Sequence, residues 1–285
     1  MKITDIFVSQ DRTFSFEFFP PKDEISAVDF GINVGQLMRL NPSFVTVTYG
    51  AGGSSQERTF SLVDYLNNKI GLTTAAHYTC VNADRNKVSA DMKALNDMGI
   101  ENLMLLRGDP PKGQDQYKKV ENGFQYASEL INYVEDNWDF CKAGAAYVEK
   151  HPEAFSIEED ILNLKSKVDA GADFLITQLF YDNQIYFDYI EKCRLQGINC
   201  RVIPGIIPIT SYRQIEKFTQ MSGTKIPVDL KAHLEEHKDS PQKTYQIGID
   251  YTINQCKELL EKGAPGIHFY TLNKSRAAIE IFESL

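Results

Sequence analysis

Short runs of apolar and β-branched residues recur along the chain and alternate with stretches whose apolar residues follow a helical period. This alternation is typical of strand–helix units arranged around a parallel sheet. Eight runs are read as strands: TFSFEF (13–18), FVTVTY (44–49), TTAAHYTC (73–80), NLMLLR (102–107), CKAGAAY (141–147), FLITQLF (174–180), RVIPGII (201–207) and GIHFYTL (266–272). Eight such units without a linker predict an α/β fold, a single-domain (β/α)8 TIM barrel over residues 1–285, with functional residues where the strands end.

The stretches between these runs carry signals for helix ends. Apolar residues share one face from Val88 to Met98 and from Ile157 to Val168, and a glycine follows each stretch, as is common after a helix. Capping-box spacings at Ser54–Glu57 and Ser156–Glu159 predict two helix starts. Ile226–Lys238 predicts a further helix after the seventh strand.

Composition and charge narrow the class of protein. The 285 residues are 42% hydrophobic and 24% charged, and no apolar run approaches the roughly 18 residues of a membrane span. The opening residues, MKITDIFVSQDRT, lack the features of a secretory signal, so a cytoplasmic location is expected. Five scattered cysteines without a C-x-x-C pair predict reduced, mostly packed thiols and no metal site. A net charge of −9 argues against nucleic acid and favours small-molecule ligands.

The first strand places a carboxyl group where chemistry is expected. A period of two sends Phe14, Phe16 and Phe18 to one side and Ser15 and Glu17 to the other. In a barrel the phenylalanines would pack under the helices, and Glu17 would point into the mouth. Loss of water there favours a neutral carboxyl, as a general acid needs, although a buried structural ion pair fits the same pattern.

Other strand ends add candidates. Gly50, Gly52 and Gly53 in TYGAGGSS allow a close approach to a ligand but match no nucleotide-binding motif. His77 lies in an apolar strand, where a hydrogen-bonded core residue is the more common case. The segment LLRGDPP ends the fourth strand with a charged pair around Gly108, which favours a functional role.

Two more strand ends are polar. Thr177 and Gln178 stand among apolar residues, and a buried amide needs partners that a ligand could supply. Tyr270, Asn273 and Lys274 follow the eighth strand, where a polar helix cap is the alternative. No Ser/His/Asp motif or H-E-x-x-H is present and the histidines lack ligand spacing, which argues against acyl transfer and metal-dependent hydrolysis. The residues alone predict a barrel with an acid, an aspartate, an amide and glycines at one mouth, and they name no substrate.

In order along the chain, from Phe14 to Arg276, the strand ends resemble the methylenetetrahydrofolate reductase family. The matching segments are FSFEFFPP, VTVTYGAGGS, AAHYTC, LLRGDPP, AAYVEKHPEA, LNLKSKVDAGADFLITQLFYD, IPGIIPIT and HFYTLNKS. The resemblance implies a flavoprotein barrel that binds FAD noncovalently, takes a hydride from NADH or NADPH, and reduces 5,10-methylenetetrahydrofolate to 5-methyltetrahydrofolate in a ping-pong manner. One-carbon metabolism is the implied setting. A homo-oligomer is expected, since barrel surfaces commonly assemble.

The resemblance also implies roles for single residues. Glu17 would be the general acid that assists protonation of N10 as the bridged folate ring opens to an iminium. Asp109 would stabilise this cation and tune the flavin. Gln178 would contact folate and nicotinamide in turn. The implied substrate-binding residues are Gln178, Gln214, Tyr270 and Lys274.

The implied FAD contacts lie after strands two to five and on the helix that follows strand five. They are Thr48, Tyr49, Gly50, Ala51, His77, Leu106, Arg107, Gly108, Asp109, Ala145, Tyr147, His151, Asp160, Asn163 and Lys167. The spacing of Asp160, Asn163 and Lys167 puts them on one helix face. A lysine suits the pyrophosphate and an aspartate suits a ribose hydroxyl.

The chain departs from the family pattern at two positions. Lys274 stands where members often have arginine, and a lysine lacks the two-pronged donor group of arginine. Ser166 stands where some relatives have a basic residue. Contacts to the folate tail or to phosphate are therefore expected to differ at both positions. The chain stops shortly after the barrel at Leu285, so no carboxy-terminal regulatory domain and no inhibition by S-adenosylmethionine are expected.

Three other functions stay open on the sequence. A proline-dehydrogenase-like flavin barrel would oxidise proline. A flavin- and folate-binding electron-transfer subunit would take electrons from a partner protein. A flavin-free barrel would transfer a folate methyl group. The choice between NADH and NADPH is not readable either, because the chain has no Rossmann fold to carry the discriminating residue.

Overall fold

The structure, a computed structural model, describes residues 1–49, 56–110, 113 and 116–285. The strands of these ranges form one parallel sheet: β1 (Thr13–Phe18), β2 (Phe44–Val47), β3 (Thr74–Thr79), β4 (Asn102–Leu106), β5 (Cys141–Ala146), β6 (Phe174–Thr177), β7 (Arg201–Ile203), β8 (Gly205–Ile206) and β9 (Gly266–Tyr270). Their hydrogen-bonded order is β7-β6-β5-β4-β3-β2-β1-β9-β8. Because β7 and β8 are consecutive in the chain, the two ends of this order meet and close a barrel.

Pro204 divides the seventh predicted strand into β7 and β8, because proline has no N–H for the ladder. Its carbonyl still accepts a hydrogen bond from the His268 N–H at 2.9 Å. All eight predicted strand regions are therefore present, and the predicted TIM-barrel class is confirmed. Several strands end earlier than predicted, as β6 does at Thr177. The last polar residues of those runs lie beyond the strands, at the barrel mouth.

Most helices connect successive strands on the outside of the barrel, whereas the first helix precedes β1 and the last follows β9. The helices are α1 (Ile3–Ser9), α2 (Glu24–Leu37), α3 (Gln56–Asp64), α4 (Arg85–Asp97), α5 (Ala127–Glu135), α6 (Ile157–Asp169), α7 (Asn183–Leu195), α8 (Tyr212–Ser222), α9 (Val228–Glu236), α10 (Pro241–Glu261) and α11 (Arg276–Phe282). The predicted apolar faces are buried in α4 and α6. Helix α9 confirms the helix predicted at Ile226–Lys238.

Only one of the two hydrogen bonds of the predicted capping box forms at the start of α6. The Ser156 side chain accepts a hydrogen bond from the Glu159 N–H at 3.2 Å, as predicted. The Glu159 carboxylate accepts from the Phe155 N–H rather than from that of Ser156. The other predicted box begins at Ser54, which lies outside the described residues.

Alternation along β1 separates two environments, as the sequence predicts. Phe16 and Phe18 are buried between the strands and the outer helices, and Phe14 packs partly against the same cluster. Ser15 and Glu17 point inward, since their side chains approach His268 and His77 across the barrel interior. The carboxyl group of β1 is therefore inside the barrel.

Helix α1 closes the amino-terminal end of the barrel. It was not among the helices predicted from the sequence. Ile3 and Ile6 are buried with Phe44 and Phe174 inside the barrel. The Ile3 N–H donates to Asn102 Oδ1 at 2.7 Å, which ties the helix to the start of β4. Apolar side chains fill this end, so polar chemistry is concentrated at the opposite rim.

The cysteine side chains and the apolar character of the helices bear on two predictions from composition. All five cysteines are free, and all but the half-buried Cys200 are buried, which confirms packed thiols. Among the helices of the described ranges, none is long and apolar enough to cross a membrane.

We expect Gly248→Ala to destabilise the fold, although alanine normally favours a helix over glycine. Gly248 lies within α10, and a Cβ there would overlap the carbonyl oxygen of Ile209 and meet its Cγ2 at 2.7 Å. Overpacking of this kind costs about 1–3 kcal/mol. Gly31→Ala in α2 is the matched control, because nothing lies within 4 Å of a Cβ there. That variant should gain about 0.5–1 kcal/mol. Urea unfolding measures the free energy of unfolding of both variants. Equal changes would contradict the close approach of Gly248 to Ile209.

Candidate active site

Glu17 and His77 meet at the barrel mouth. They lie on β1 and β3, on either side of β2, and they are only 8% and 7% exposed. Glu17 Oε2 is 3.6 Å from His77 Nε2, just beyond hydrogen-bond range. The structure therefore brings the predicted acid next to a histidine whose sequence context left its role open.

His77 is neutral near pH 7. Burial lowers its pKa to about 4, the charge of Glu17 opposes this shift, and His268 adds to it. Its Nε2 is buried and has no hydrogen-bond partner among the described residues. Within those residues no lysine or arginine forms an ion pair with Glu17 either. A structural ion pair, the alternative that the sequence left open for Glu17, would require a protonated His77.

A polar layer lies beneath this pair inside the barrel. Ser15 Oγ and His268 Nδ1 are 2.8 Å apart, and His268 is fully buried. His268 Nε2 and Thr46 Oγ1 have no hydrogen-bond partner in the described part of the chain. Buried polar atoms are normally paired with protein, water or a ligand, so this layer favours polar occupants. Inward alternation along the strands is the sequence signal that points to these residues.

Two residues after β9 hold the end of β1 in place. Thr271 Oγ1 donates to the Glu17 carbonyl at 2.7 Å. The Asn273 side chain pairs with the Phe19 backbone, donating to its carbonyl and accepting from its N–H, both at 2.8 Å. Asn273 is thus a clamp between two loops rather than the polar helix cap considered from the sequence. No local pattern signals these contacts, because they join opposite ends of the chain.

Tyr270 is wedged between β6 and β8. Its hydroxyl donates to the Thr177 carbonyl at 2.5 Å, and Thr177 Oγ1 accepts from the Gly205 N–H at 2.9 Å. A Cβ on Gly205 would stand 2.6 Å from the Tyr270 hydroxyl oxygen, so glycine is needed there. Burial raises the pKa of Tyr270 well above its usual value, and the charge of Glu17 adds to the shift. Tyr270 is therefore a protonated, fixed wall of the mouth.

A charged turn follows β4. Gly108 has a φ of +89°, and a Cβ there would meet Thr79 Cβ at 2.9 Å, so only glycine packs this turn against β3. Arg107 donates to both carboxylate oxygens of Glu153 at 2.6 Å. Glu153 was not predicted as a site residue, although it lies in the segment AAYVEKHPEA. Asp109 follows the turn as an exposed carboxylate at the rim.

The end of β5 and the face of α6 that carries Asp160 and Lys167 form the next part of the rim. The rings of Tyr147 and His151 meet edge to face with centroids 4.7 Å apart. The His151 N–H donates to Asp160 Oδ2 at 2.9 Å, and Lys167 Nζ donates to the Ala145 carbonyl at 2.9 Å. Burial lowers the pKa of Lys167, and the charge of Asp160 opposes this shift. A cation with further donors thus lies beside a buried carboxylate.

Electrostatic effects show that these groups share one mouth. Burial raises the pKa of Tyr147 to about 12, and the charges of Asp109 and Asp160 add to the shift. Tyr147 in turn contributes to the raised pKa of Tyr270, which also responds to Glu17. Tyr147 and Tyr270 therefore connect the acid side of the mouth with the side formed by β4, β5 and α6.

The other predicted site residues have weaker links to this centre. Gln178 is half-buried beyond β6, and its Oε1 accepts from the Leu179 N–H at 2.9 Å. Gln214 caps Thr210, whose N–H and Oγ1 both donate to its Oε1. Asn163 and Lys274 are exposed, and their side chains have no hydrogen bond to another described residue.

Three predicted cofactor residues lie just after β2 or at the end of β4. The Thr48 carbonyl accepts from Thr59 Oγ1 at 3.0 Å, the Tyr49 ring contacts Tyr78 with centroids 5.3 Å apart, and Leu106 is half-buried at the end of β4. Gly50 and Ala51 lie outside the described residues, as do the other glycines of that turn. Within the described ranges no group of three or more histidine, cysteine, aspartate or glutamate residues could hold a metal ion.

The family model and the relatives that are similar in sequence point to one family. A family model described as methylenetetrahydrofolate reductase matches residues 2–285. The Arabidopsis thaliana protein named methylenetetrahydrofolate reductase (NADH) 1 is 37% identical, with 100% of this chain and 50% of that protein covered. The Escherichia coli protein named 5,10-methylenetetrahydrofolate reductase is 35% identical, with 95% and 90% covered. The chain thus spans about half the length of the plant relative and most of the bacterial one.

A solved structure supports the fold. A protein from Clostridium thermocellum, described as binding two copies of 5-methyl-5,6,7,8-tetrahydrofolic acid, superposes with a TM-score of 0.66 at 16% identity. The match covers 99% of this chain and 96% of that one. At this identity the likeness concerns the barrel architecture.

We expect the buried His77 to make stability fall as the pH is lowered from 6.5 to 4. The folded state holds His77 neutral down to about pH 4, whereas the unfolded chain takes up a proton near 6.5. Acid therefore favours unfolding, by at most about 3 kcal/mol at about 1.4 kcal/mol per pH unit. Unfolding free energies across this range measure the effect. His77→Gln should lose less stability on acidification, whereas the exposed control His233→Gln should follow the unsubstituted protein. Parallel profiles for all three proteins would refute the prediction.

Proposed function

Because this chain belongs to the methylenetetrahydrofolate reductase family, we propose that it reduces 5,10-methylenetetrahydrofolate to 5-methyltetrahydrofolate, with FAD as cofactor and NADH or NADPH as hydride donor. The observation that carries the proposal is the buried Glu17 beside a neutral His77 at the barrel mouth. Relatives over the whole chain bear the names of this reductase.

The rim formed by β4, β5 and α6 fits FAD. The ammonium group of Lys167 has donors to spare beside the Ala145 carbonyl and suits a pyrophosphate. Asp160 suits a ribose hydroxyl, and the unpartnered Nε2 of His77 is left to meet a polar atom of the flavin. When bound, FAD would accept a hydride from the nicotinamide and return it to the methylene carbon of the folate.

The residues proposed to hold FAD are those around this rim and after β2. They are Thr48, Tyr49, Gly50, Ala51, His77, Leu106, Arg107, Gly108, Asp109, Ala145, Tyr147, His151, Asp160, Asn163 and Lys167. Their contributions differ in kind. Gly108 lets the turn after β4 pack closely against β3. Tyr147 and His151 offer ring surfaces, and Lys167 supplies positive charge.

Glu17 is proposed as the general acid. Opening of the bridged folate ring needs a proton at N10, and Glu17 is the inward-facing carboxyl group of β1 at the mouth. The contact from Thr271 fixes the Glu17 backbone, so the carboxyl group is positioned before substrate arrives. With His77 neutral, no described residue places a fixed positive charge in ion-pair contact with Glu17.

The rest of the mouth is proposed to bind and stabilise the substrate. Asp109, an exposed carboxylate at the rim, would offset positive charge on the ring-opened folate. Gln178 would turn its amide to folate and nicotinamide. The proposed substrate-binding residues are Gln178, Gln214, Tyr270 and Lys274.

An anaerobic stopped-flow measurement of flavin absorbance tests the function. We expect NADH or NADPH to bleach the FAD-loaded protein and methylenetetrahydrofolate to restore the colour. Bleaching by a nicotinamide without recovery would contradict the folate reductase. Failure of both nicotinamides would point to a partner protein as electron donor. Bleaching by proline would point to a proline dehydrogenase, and a chain that takes up no FAD would fit a methyltransferase.

We expect Glu17→Gln to separate the two half-reactions. The variant should retain FAD and its reduction by nicotinamide but lose folate reduction by roughly 10²–10⁴-fold, because only that half needs the acid. Glu258→Gln is the matched control, since Glu258 is a half-buried carboxylate of α10 that accepts from the Asn183 side-chain N–H at 2.7 Å. It should retain both halves. An equal loss of both halves in Glu17→Gln would give Glu17 a structural role.

A further inference from the structure

The loop from 147 to 155, between β5 and α6, consists of two consecutive hydrogen-bonded turns. The Lys150 N–H donates to the Tyr147 carbonyl at 3.1 Å and closes the first turn. The Ala154 N–H donates to the His151 carbonyl at 3.0 Å and closes the second. Pro152 stands at the second position of the later turn, where its fixed φ is favourable. Lys150 is therefore the junction between the turns.

Lys150 adopts a backbone conformation that lysine rarely takes. Its φ is +83°, in the left-handed region where a side chain is strained. The other non-glycine residues with positive φ in the described ranges are four asparagines and Leu272. Asparagine tolerates this region, whereas lysine has no such local advantage. Something else must hold the bend.

The Lys150 side chain supplies that restraint. Its Nζ donates to the Ala154 carbonyl at 2.5 Å and to the His151 carbonyl at 3.2 Å. Both acceptors belong to the second turn, so the ammonium group folds back over the loop that its own backbone begins. Hydrogen bonds from a charged donor are stronger than neutral ones. They offset the strain at the junction.

The rest of the loop is ordered through this bend. Each non-proline N–H from His151 to Phe155 has an acceptor: Asp160 Oδ2 for His151, His151 Nδ1 for Glu153, the His151 carbonyl for Ala154 and Glu159 Oε2 for Phe155. Glu153 then pairs with Arg107 on the turn after β4. A change at Lys150 would thus reach Tyr147, His151 and Arg107 together.

We propose that Lys150 is a positioning residue whose side chain holds this loop in its ligand-binding shape before the cofactor arrives. As regards FAD, the proposal rests on the proposed function. The restraint itself is a property of the protein without ligand. A loop ordered in advance loses less conformational entropy on binding, so its release should weaken cofactor affinity.

Three variants separate the side chain from the backbone bend. Lys150→Met keeps the length and the strain but removes the donors. Lys150→Gly removes the donors and also the strain, because glycine adopts positive φ freely. Lys93→Met is the matched control, since it removes an exposed lysine of α4 that pairs with Asp97 away from the mouth.

Hydrogen exchange on the protein without ligand, followed by FAD titration, tests the proposal. We expect the amides of His151, Glu153, Ala154 and Phe155 to exchange faster in Lys150→Met, and FAD to bind about tenfold more weakly. Lys150→Gly should fall between that variant and the unsubstituted protein. Lys93→Met should match the unsubstituted protein in both measurements.

Two results would overturn the proposal. One is unchanged exchange in Lys150→Met, and the other is faster exchange with unchanged FAD affinity. Failure of the unsubstituted protein to bind FAD would instead refute the proposed function. In that case the exchange measurement would still decide whether Lys150 orders the loop.

Discussion

The closed seam between β6 and β9 is the constraint on which the rest of the structure depends. Pro204 interrupts the strand that fills this seam, so β7 pairs with β6 and β8 pairs with β9. Side-chain contacts compensate for the interruption, since Thr177 accepts from both the Gly205 N–H and the Tyr270 hydroxyl. Once the sheet is closed, inward side chains have no route to bulk water except the rim, and their chemistry follows from that confinement.

Confinement divides the mouth into two electrostatic regions. On one side, Glu17 lies beside the neutral imidazole of His77, and no lysine or arginine of the described residues is in ion-pair contact with it. On the opposite side, Arg107 and Lys167 lie beside Glu153 and Asp160, so opposite charges partly balance. The proposed proton transfer and the proposed binding of a charged cofactor need these contrasting surroundings. A single uniformly charged cleft would not serve both.

Local periodicity accounts for what the sequence could predict. The bounds of β1 and the inward direction of Glu17 follow from alternation alone, and α4 and α6 follow from helical spacing. Pro204 divides the seventh predicted strand into β7 and β8. This is a local effect of proline, but the prediction of eight strands did not include it. Helix α1 could not be predicted, because it is short and its buried face consists of few residues. The roles of Thr271 and Asn273 could not be predicted, because they contact residues 254 positions away. For His151 and Lys167, the family resemblance and not the pattern identified the positions.

The clamp from Thr271 and Asn273 onto Glu17 and Phe19 also sets the order of events during synthesis. The ribosome delivers β1 early, yet the partners that fix its carboxyl end emerge some 250 residues later. Domains fold from contacts already synthesised, and long-range pairing comes late. In a nascent chain, Glu17, the proposed acid, therefore lacks this restraint until the final strand arrives. Positioning of the proposed acid and completion of the barrel are, in this molecule, the same event.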